Sequence, residues 1–203
     1  MSYERAETLT GVIFAPLDWA RALALVVAFS LLTALAAQFA VPLPFTPVPI
    51  TAQTFVVLLA GALLGSRLGA LAMILYLLEG AGGLPFFAGG QGGAAYLLLS
   101  PTAGYLFSYP AAAFAVGFLA ERGWDRRFAT AALAMAAGAT LILVSGWAWY
   151  SMIVGSVTSA FVASVAPFIV GEVVKLLLGA SLLPMGWKLL GRCGGGDRAM
   201  QRD

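Results

Sequence analysis

Histidine is absent from this 203-residue chain, and cysteine occurs once, at position 193. The first absence removes the side chain most often used as a general base near neutral pH. Together the two exclude a Cys/His metal cluster, an intrachain disulfide and a Cys–His nucleophile pair. Charge is scarce too. Charged residues make up 10% of the chain and apolar residues 61%, whereas ordinary globular proteins are about 25% charged. So little polar surface cannot cover so large an apolar interior, and lipid must cover it instead. The composition describes an integral membrane protein. No GxxxxGK[ST] phosphate loop occurs, so the chain carries no P-loop ATPase of its own. The net charge of +2 says little about partners, and no nucleic-acid partner is expected.

What is present is a series of long apolar runs. A spanning helix needs about 20 mostly apolar residues. Residues 19–40, 128–150 and 167–190 meet that length, and 103–120 is just long enough. Residues 51–80 suit either one long helix or two short ones hinged at "GSR" (65–67). Two helices bring the total to six, with both termini on the same side. Arg5, Arg21, Arg67, Arg122, Arg126, Arg127, Lys188, Arg192, Arg198 and Arg202 then share that side, ten of the eleven basic residues. That is the cytoplasmic side under the positive-inside rule. A single long helix would bury Arg67 in the bilayer at a cost of roughly 2.5–3.5 kcal/mol. The expectation is therefore an all-α membrane protein: one six-helix domain over residues 1–203, multi-pass in the plasma membrane. Residues 1–18 form a cytoplasmic N-terminal segment that is retained, and residues 191–203 a cytoplasmic tail.

The outward connections, "VPLPFTPVPITAQ" (41–53) and "EGAGGLPFFAGGQGGAAYLLLSPTAG" (79–104), are rich in Gly and Pro yet apolar. Non-helical backbone at membrane depth survives only against protein or a water-filled cavity. These segments are read as loops capping an outward-facing cavity.

One run contradicts its surroundings. "PFIVGEVVKLLLG" (167–179) places Glu172 and Lys175 three residues apart on one helix face. Ionisable groups at that depth are costly and mark a functional site by default. A pair that merely locks packing stabilises less than apolar side chains of the same size. Gln53, Gln91 and Tyr105 stand beside the Gly/Pro segments as uncharged hydrogen-bond formers suited to orienting a small molecule. Phe86, with Phe87 and Tyr96, suits either a pocket wall or an interfacial aromatic belt. Glu79 suits the outer interface. In the first long run Ala20, Ala24 and Ala28 repeat at spacing four, a stripe that admits another helix, from this chain or from another subunit.

Four segments in order carry a family resemblance: "PFTPVPITAQTFVVLLAGALLG" (44–65), "EGAGGLPFFAGGQGG" (79–93), "SPTAGYLFSYPAAAFAVGFLAE" (100–121) and "PFIVGEVVKLLLG". From about residue 30 to 190 the chain resembles the BioY family, the biotin-specific substrate-binding (S) components of energy-coupling factor (ECF) vitamin transporters. The resemblance implies a six-helix S-component fold and capture of biotin from outside, with biotin as cargo and no cofactor. It assigns the biotin head group to Glu172 and Lys175, with Gln91 and Tyr105 lining the site; the family commonly has Asp where Glu172 stands. It also implies a transmembrane coupling protein and ATP-binding cassette ATPases as partners, docking on the alanine stripe of the first helix, and leaves room for a homo-oligomer. Three rival readings are another vitamin or small heterocycle as cargo, a membrane enzyme using Glu172 as acid and base, and a purely structural or assembly subunit in which Glu172 and Lys175 merely fix helix packing.

Overall fold

The structure, a computed structural model, describes residues 8–14 and 17–200, with side chains as far as Leu190. The expectations for Arg5, Arg192, Arg198 and Arg202 fall outside those residues or side chains. The chain opens with α1 (Leu9–Ile13), whose N-cap Thr8 accepts from Gly11 N. It continues into α2 (Trp19–Gln38), where the Asp18 carboxylate accepts from Arg21 N at 2.8 Å. Both follow from the preference for a short oxygen-bearing side chain at a helix start. Helix α1 is tied to the segment that follows the hairpin, because Thr10 donates to the carbonyl of Leu63.

The segment after α2, anticipated as a breaker-rich loop, is instead an antiparallel hairpin of β1 (Ala40–Leu43) and β2 (Thr46–Thr51). Its two strands are both edges, which is where proline is tolerated in a sheet. The register slips between Val41 and Leu43. Helices α3 (Gln53–Leu64) and α4 (Ser66–Ala81) follow, separated by Gly65 alone. The chain therefore breaks inside "GSR", as the two-helix reading requires. Gly65 has φ 84°, a left-handed value that glycine adopts without a Cβ penalty. At about 18 and 24 Å these helices are each shorter than the roughly 30 Å hydrocarbon layer.

A 3₁₀ turn (Ala88–Gly90) and α5 (Ala94–Leu99) make up the next connection, followed by α6 (Ala103–Ala120). A second 3₁₀ turn (Trp124–Arg126) leads to α7 (Phe128–Val154), then α8 (Val157–Ser164) and α9 (Ile169–Met200). Among the described residues four helices are long and apolar enough to cross a membrane: α2, α6, α7 and the Ile169–Leu190 part of α9. Helix α8 was not anticipated. Its start is set by the αL residue Gly155 ending α7 and by Ser156 accepting from Ser159 N.

Helix α6 is the hub, packed between α3, α4 and α7. Small residues make this possible. A Cβ on Gly61 would run into the backbone of Ala113, and one on Gly69 would sit 2.9 Å from the Cα of Gly61. The crossing of α3, α4 and α6 is thus backbone against backbone, the geometry glycine permits in membrane bundles. Glu121, at the end of α6, accepts from both the backbone N and the hydroxyl of Ser66 at 2.7 and 2.8 Å, capping α4 from outside.

Candidate functional site

Helix α9 carries Glu172 and Lys175 on one face, and α3 begins opposite them with Gln53 and Thr54. The Lys175 ammonium donates to Glu172 Oε1 at 2.7 Å, to Thr54 Oγ1 at 2.8 Å and to the Thr51 carbonyl at 2.7 Å. All three of its N–H groups are engaged. Thr54 in turn donates to the same Glu172 oxygen at 2.8 Å. The cluster is compact and mostly shielded, with the Glu172 side chain 9% exposed and that of Lys175 16%. Among the described residues no hydrogen bond reaches Glu172 Oε2, which leaves acceptor capacity for a further donor.

This cluster forms one wall of a cavity holding about 530 Å³ of empty space, part of it open to solvent. The hairpin contributes Val48, Pro49 and Thr51, and the second connection contributes Phe87, Ala88 and Tyr96. Both Gly/Pro segments therefore line the cavity. The second is held by its own bonds: Phe87 N donates to Gln91 O, Gly93 N to Gly80 O, and Gln38 Nε2 to the Pro85 carbonyl. Phe87 is fully buried, stacked on Tyr96 with ring centroids 5.5 Å apart and edge-on to Tyr76 at 5.8 Å.

The opposite wall belongs to α6. Tyr105 donates to the carbonyl of Ser164 and packs near Phe168, while Tyr109, one turn further, lines the same cavity. No hydrogen bond reaches the Tyr109 hydroxyl among the described residues. Gln53 donates to the Tyr76 hydroxyl at 2.6 Å, and Tyr76 passes the bond to the Phe86 carbonyl at 3.1 Å. A polar thread thus joins the cavity floor to the second connection.

Of the residues singled out from sequence, Glu172, Lys175, Gln53 and Tyr105 line one cavity. Phe86 and Gln91 do not. Phe86 meets the site only through its backbone carbonyl, its neighbour Phe87 supplying the ring, and the Gln91 side chain is exposed. Glu79 is bonded to Ser30 of α2 rather than facing the cavity. Sequence reasoning missed Thr54, Thr51 and Tyr109. Tyr109 carried a usable signal, since it repeats Tyr105 at i+4 and so shares its face. The stripe Ala20, Ala24 and Ala28 is exposed along α2.

Apolar helices around a lidded cavity, with one buried acid–lysine pair on its wall, define a membrane-embedded binding protein. The fold is that of the S components. A crystal structure of the S component for biotin from an ECF-type ABC transporter superposes with a TM-score of 0.75, at 24% identity, over 83% of this chain and 92% of that one. The sequence matches the BioY family over residues 6–192, and the chain belongs to that family. It is 41% identical to the probable biotin transporter BioY of Pyrococcus horikoshii, over 77% of this chain and 90% of that protein. It is 39% identical to the biotin transporter BioY of Rhizobium etli, over 74% and 85% respectively.

Proposed function

We propose that this chain takes up biotin, capturing it from outside and delivering it across the membrane as an S component rather than transforming it as an enzyme. The observation that carries this is the Glu172–Lys175–Thr54 cluster on the wall of a largely apolar cavity, in a chain of the BioY family. Biotin joins a ureido group, which both donates and accepts, to an apolar bicycle and a valerate tail. Glu172 Oε2 accepts from a ureido N–H, and Lys175 donates to the ureido oxygen in exchange for one of its internal acceptors. Tyr105, Tyr109 and Gln53 supply further polar contacts, and Phe87, Tyr96 and Phe168 cover the ring and chain. Buried groups left unpaired by an analogue reject it more strongly than apolar contacts do.

The chain crosses the cytoplasmic membrane six times, with both ends inside and the cavity facing outward. Energy comes from a coupling protein and ATP-binding cassette ATPases. The coupling protein docks on the exposed Ala20, Ala24 and Ala28. The experiment is biotin binding to purified wild type, Glu172→Ala and Lys175→Ala in detergent. Each loss should weaken binding roughly ten- to 150-fold, the range for a hydrogen bond to a charged group. Wild type that ignores biotin overturns the cargo.

A second reading draws on one fact: all three Lys175 N–H groups are engaged by residues of the chain itself. In that reading the pair locks α9 to α3 and the hairpin. It predicts variants with a lowered melting temperature and unchanged biotin affinity.

A further inference from the structure

A second concavity lies on the outer surface of the bundle, away from the biotin cavity. It runs between α2 and α4 and holds about 750 Å³ of empty space. Ala22, Leu23 and Val26 form one side, and Leu68, Leu71, Ile74, Leu75 and Leu78 the other. No polar side chain lines it. Leu71, Ile74 and Leu78 are at least 42% exposed, so the groove faces whatever surrounds the protein, which at this depth is lipid.

Its length and its ends say what fits. From Leu68 to Leu78 the groove runs about 15 Å along α4. That is half of the roughly 30 Å hydrocarbon layer, the depth of one leaflet. Arg67 stands on the same stripe of α4, one turn before Leu71, at the end where the two helices begin. It is exposed, and no hydrogen bond or ion pair holds it among the described residues. Trp19, 81% exposed and one turn before Leu23, marks the same end as the level of the headgroups, where tryptophan concentrates. The other charges there come in opposite-signed couples that largely cancel: Asp18 with Arg21, paired at 4.0 Å, and Glu121, which is bonded to Ser66, with its chain neighbour Arg122. Arg21 also donates to the Phe14 carbonyl. At the far end Glu79 is bonded to Ser30 and does not line the groove. One end is therefore cationic and the remainder apolar over one leaflet's depth.

We infer that the α2–α4 groove is a binding site for an anionic phospholipid, one acyl chain lying along Leu71, Ile74 and Leu78 and the phosphate-bearing headgroup at Arg67. Such a lipid covers apolar surface that bulk lipid fills poorly and holds α4 against α2. The site is separate from biotin capture and stands or falls independently of it.

The test is native mass spectrometry of the purified, delipidated full chain, titrated with phosphatidylglycerol or phosphatidylcholine of identical acyl chains. Wild type should retain one phosphatidylglycerol about fivefold more tightly than phosphatidylcholine, the scale of one basic residue near an anionic lipid. Arg67→Gln should erase that preference while still binding either lipid weakly. Leu71→Trp, which fills the groove, should lose both lipids, and a thermal melt reports whether each variant is folded. Equal retention of the two lipids by wild type overturns the proposal. So does an unchanged preference in Arg67→Gln. A lipid-free dimer that Leu71→Trp disperses also overturns it, because the groove then belongs to a second copy of the chain.

Discussion

Thr54 is the residue on which the acid and the lysine converge. Its hydroxyl accepts from Lys175 and donates to Glu172, both at 2.8 Å. A valine keeps the volume but leaves Lys175 with one unmatched N–H, a loss of about 1–3 kcal/mol for a buried group. Thr54→Val should therefore lower the melting temperature and, by loosening the acid–lysine pair proposed to meet the ligand, also weaken biotin binding as read by isothermal titration. Unchanged affinity would mean that the ligand never meets this cluster. At this scale half of the site was legible. A carboxylate and an ammonium in an apolar run cannot be overlooked, because lipid charges heavily for both. Thr54 was not legible, since a hydroxyl at the start of a helix is ordinary by itself. Only the fold brings it 118 positions along the chain to Glu172. Gln91 shows the opposite failure. It sits in a glycine-rich segment of the expected kind, but the turn that buries Phe87 leaves its side chain exposed.

Elements follow from sequence where one local force decides and escape where several compete. The break between α3 and α4 was visible because Arg67 cannot stay in lipid and Gly65 can take a positive φ. The hairpin was hidden because its prolines argue for a loop, and only pairing between two edge strands shows that they fit a ladder. The contact of α3 with α6 and α4 rests on Gly61, where a side chain would press on the backbone of Ala113. Backbone cannot step aside as a rotamer can, so Gly61→Ala should destabilise the fold by about 1–3 kcal/mol. A lowered melting temperature in detergent checks this, with Gly171→Ala as control, because a Cβ there meets open space. A second element-level contact joins the α6–α7 turn to α9. Trp187 donates to Asp125 Oδ2 at 2.6 Å, Arg126 lies over the indole, and Asp125 Oδ1 is buried with no hydrogen-bond partner among the described residues. Burial pushes the Asp125 carboxyl above the usual carboxylate range, against the opposing pull of the Trp187 N–H and of Arg126. With its native pKa raised, the folded state holds the proton more tightly than the unfolded one. The stability it brings is present at low pH and declines as pH rises from the ordinary carboxylate range through the raised value. Asp125→Asn should flatten that part of the melting-temperature profile across acidic pH; a profile of the same shape as wild type would show that the Asp125 carboxyl titrates alike in the folded and unfolded chain.

For the whole molecule the decisive issue is how many times the chain crosses. Four helices are long enough by themselves, and α3 with α4 makes a bent pair whose members are each too short for an unaided crossing. Counted as two, they place both ends on one face and ten of eleven basic residues with them; counted as one, they put the ends on opposite faces. The lone cysteine is a built-in reporter, because Cys193 follows the apolar part of α9. In sealed vesicles a membrane-impermeant maleimide should label Cys193 only when the cytoplasmic face is outward. A Ser2→Cys, Cys193→Ser chain should label from that same face. Labelling of the two positions from opposite faces would leave an odd number of crossings. It would also leave the basic residues divided between both sides, against the charge asymmetry that orients such chains. Labelling of both from the external face would keep an even number of crossings but turn the cavity proposed for biotin toward the cytoplasm, where it could not capture a vitamin from outside.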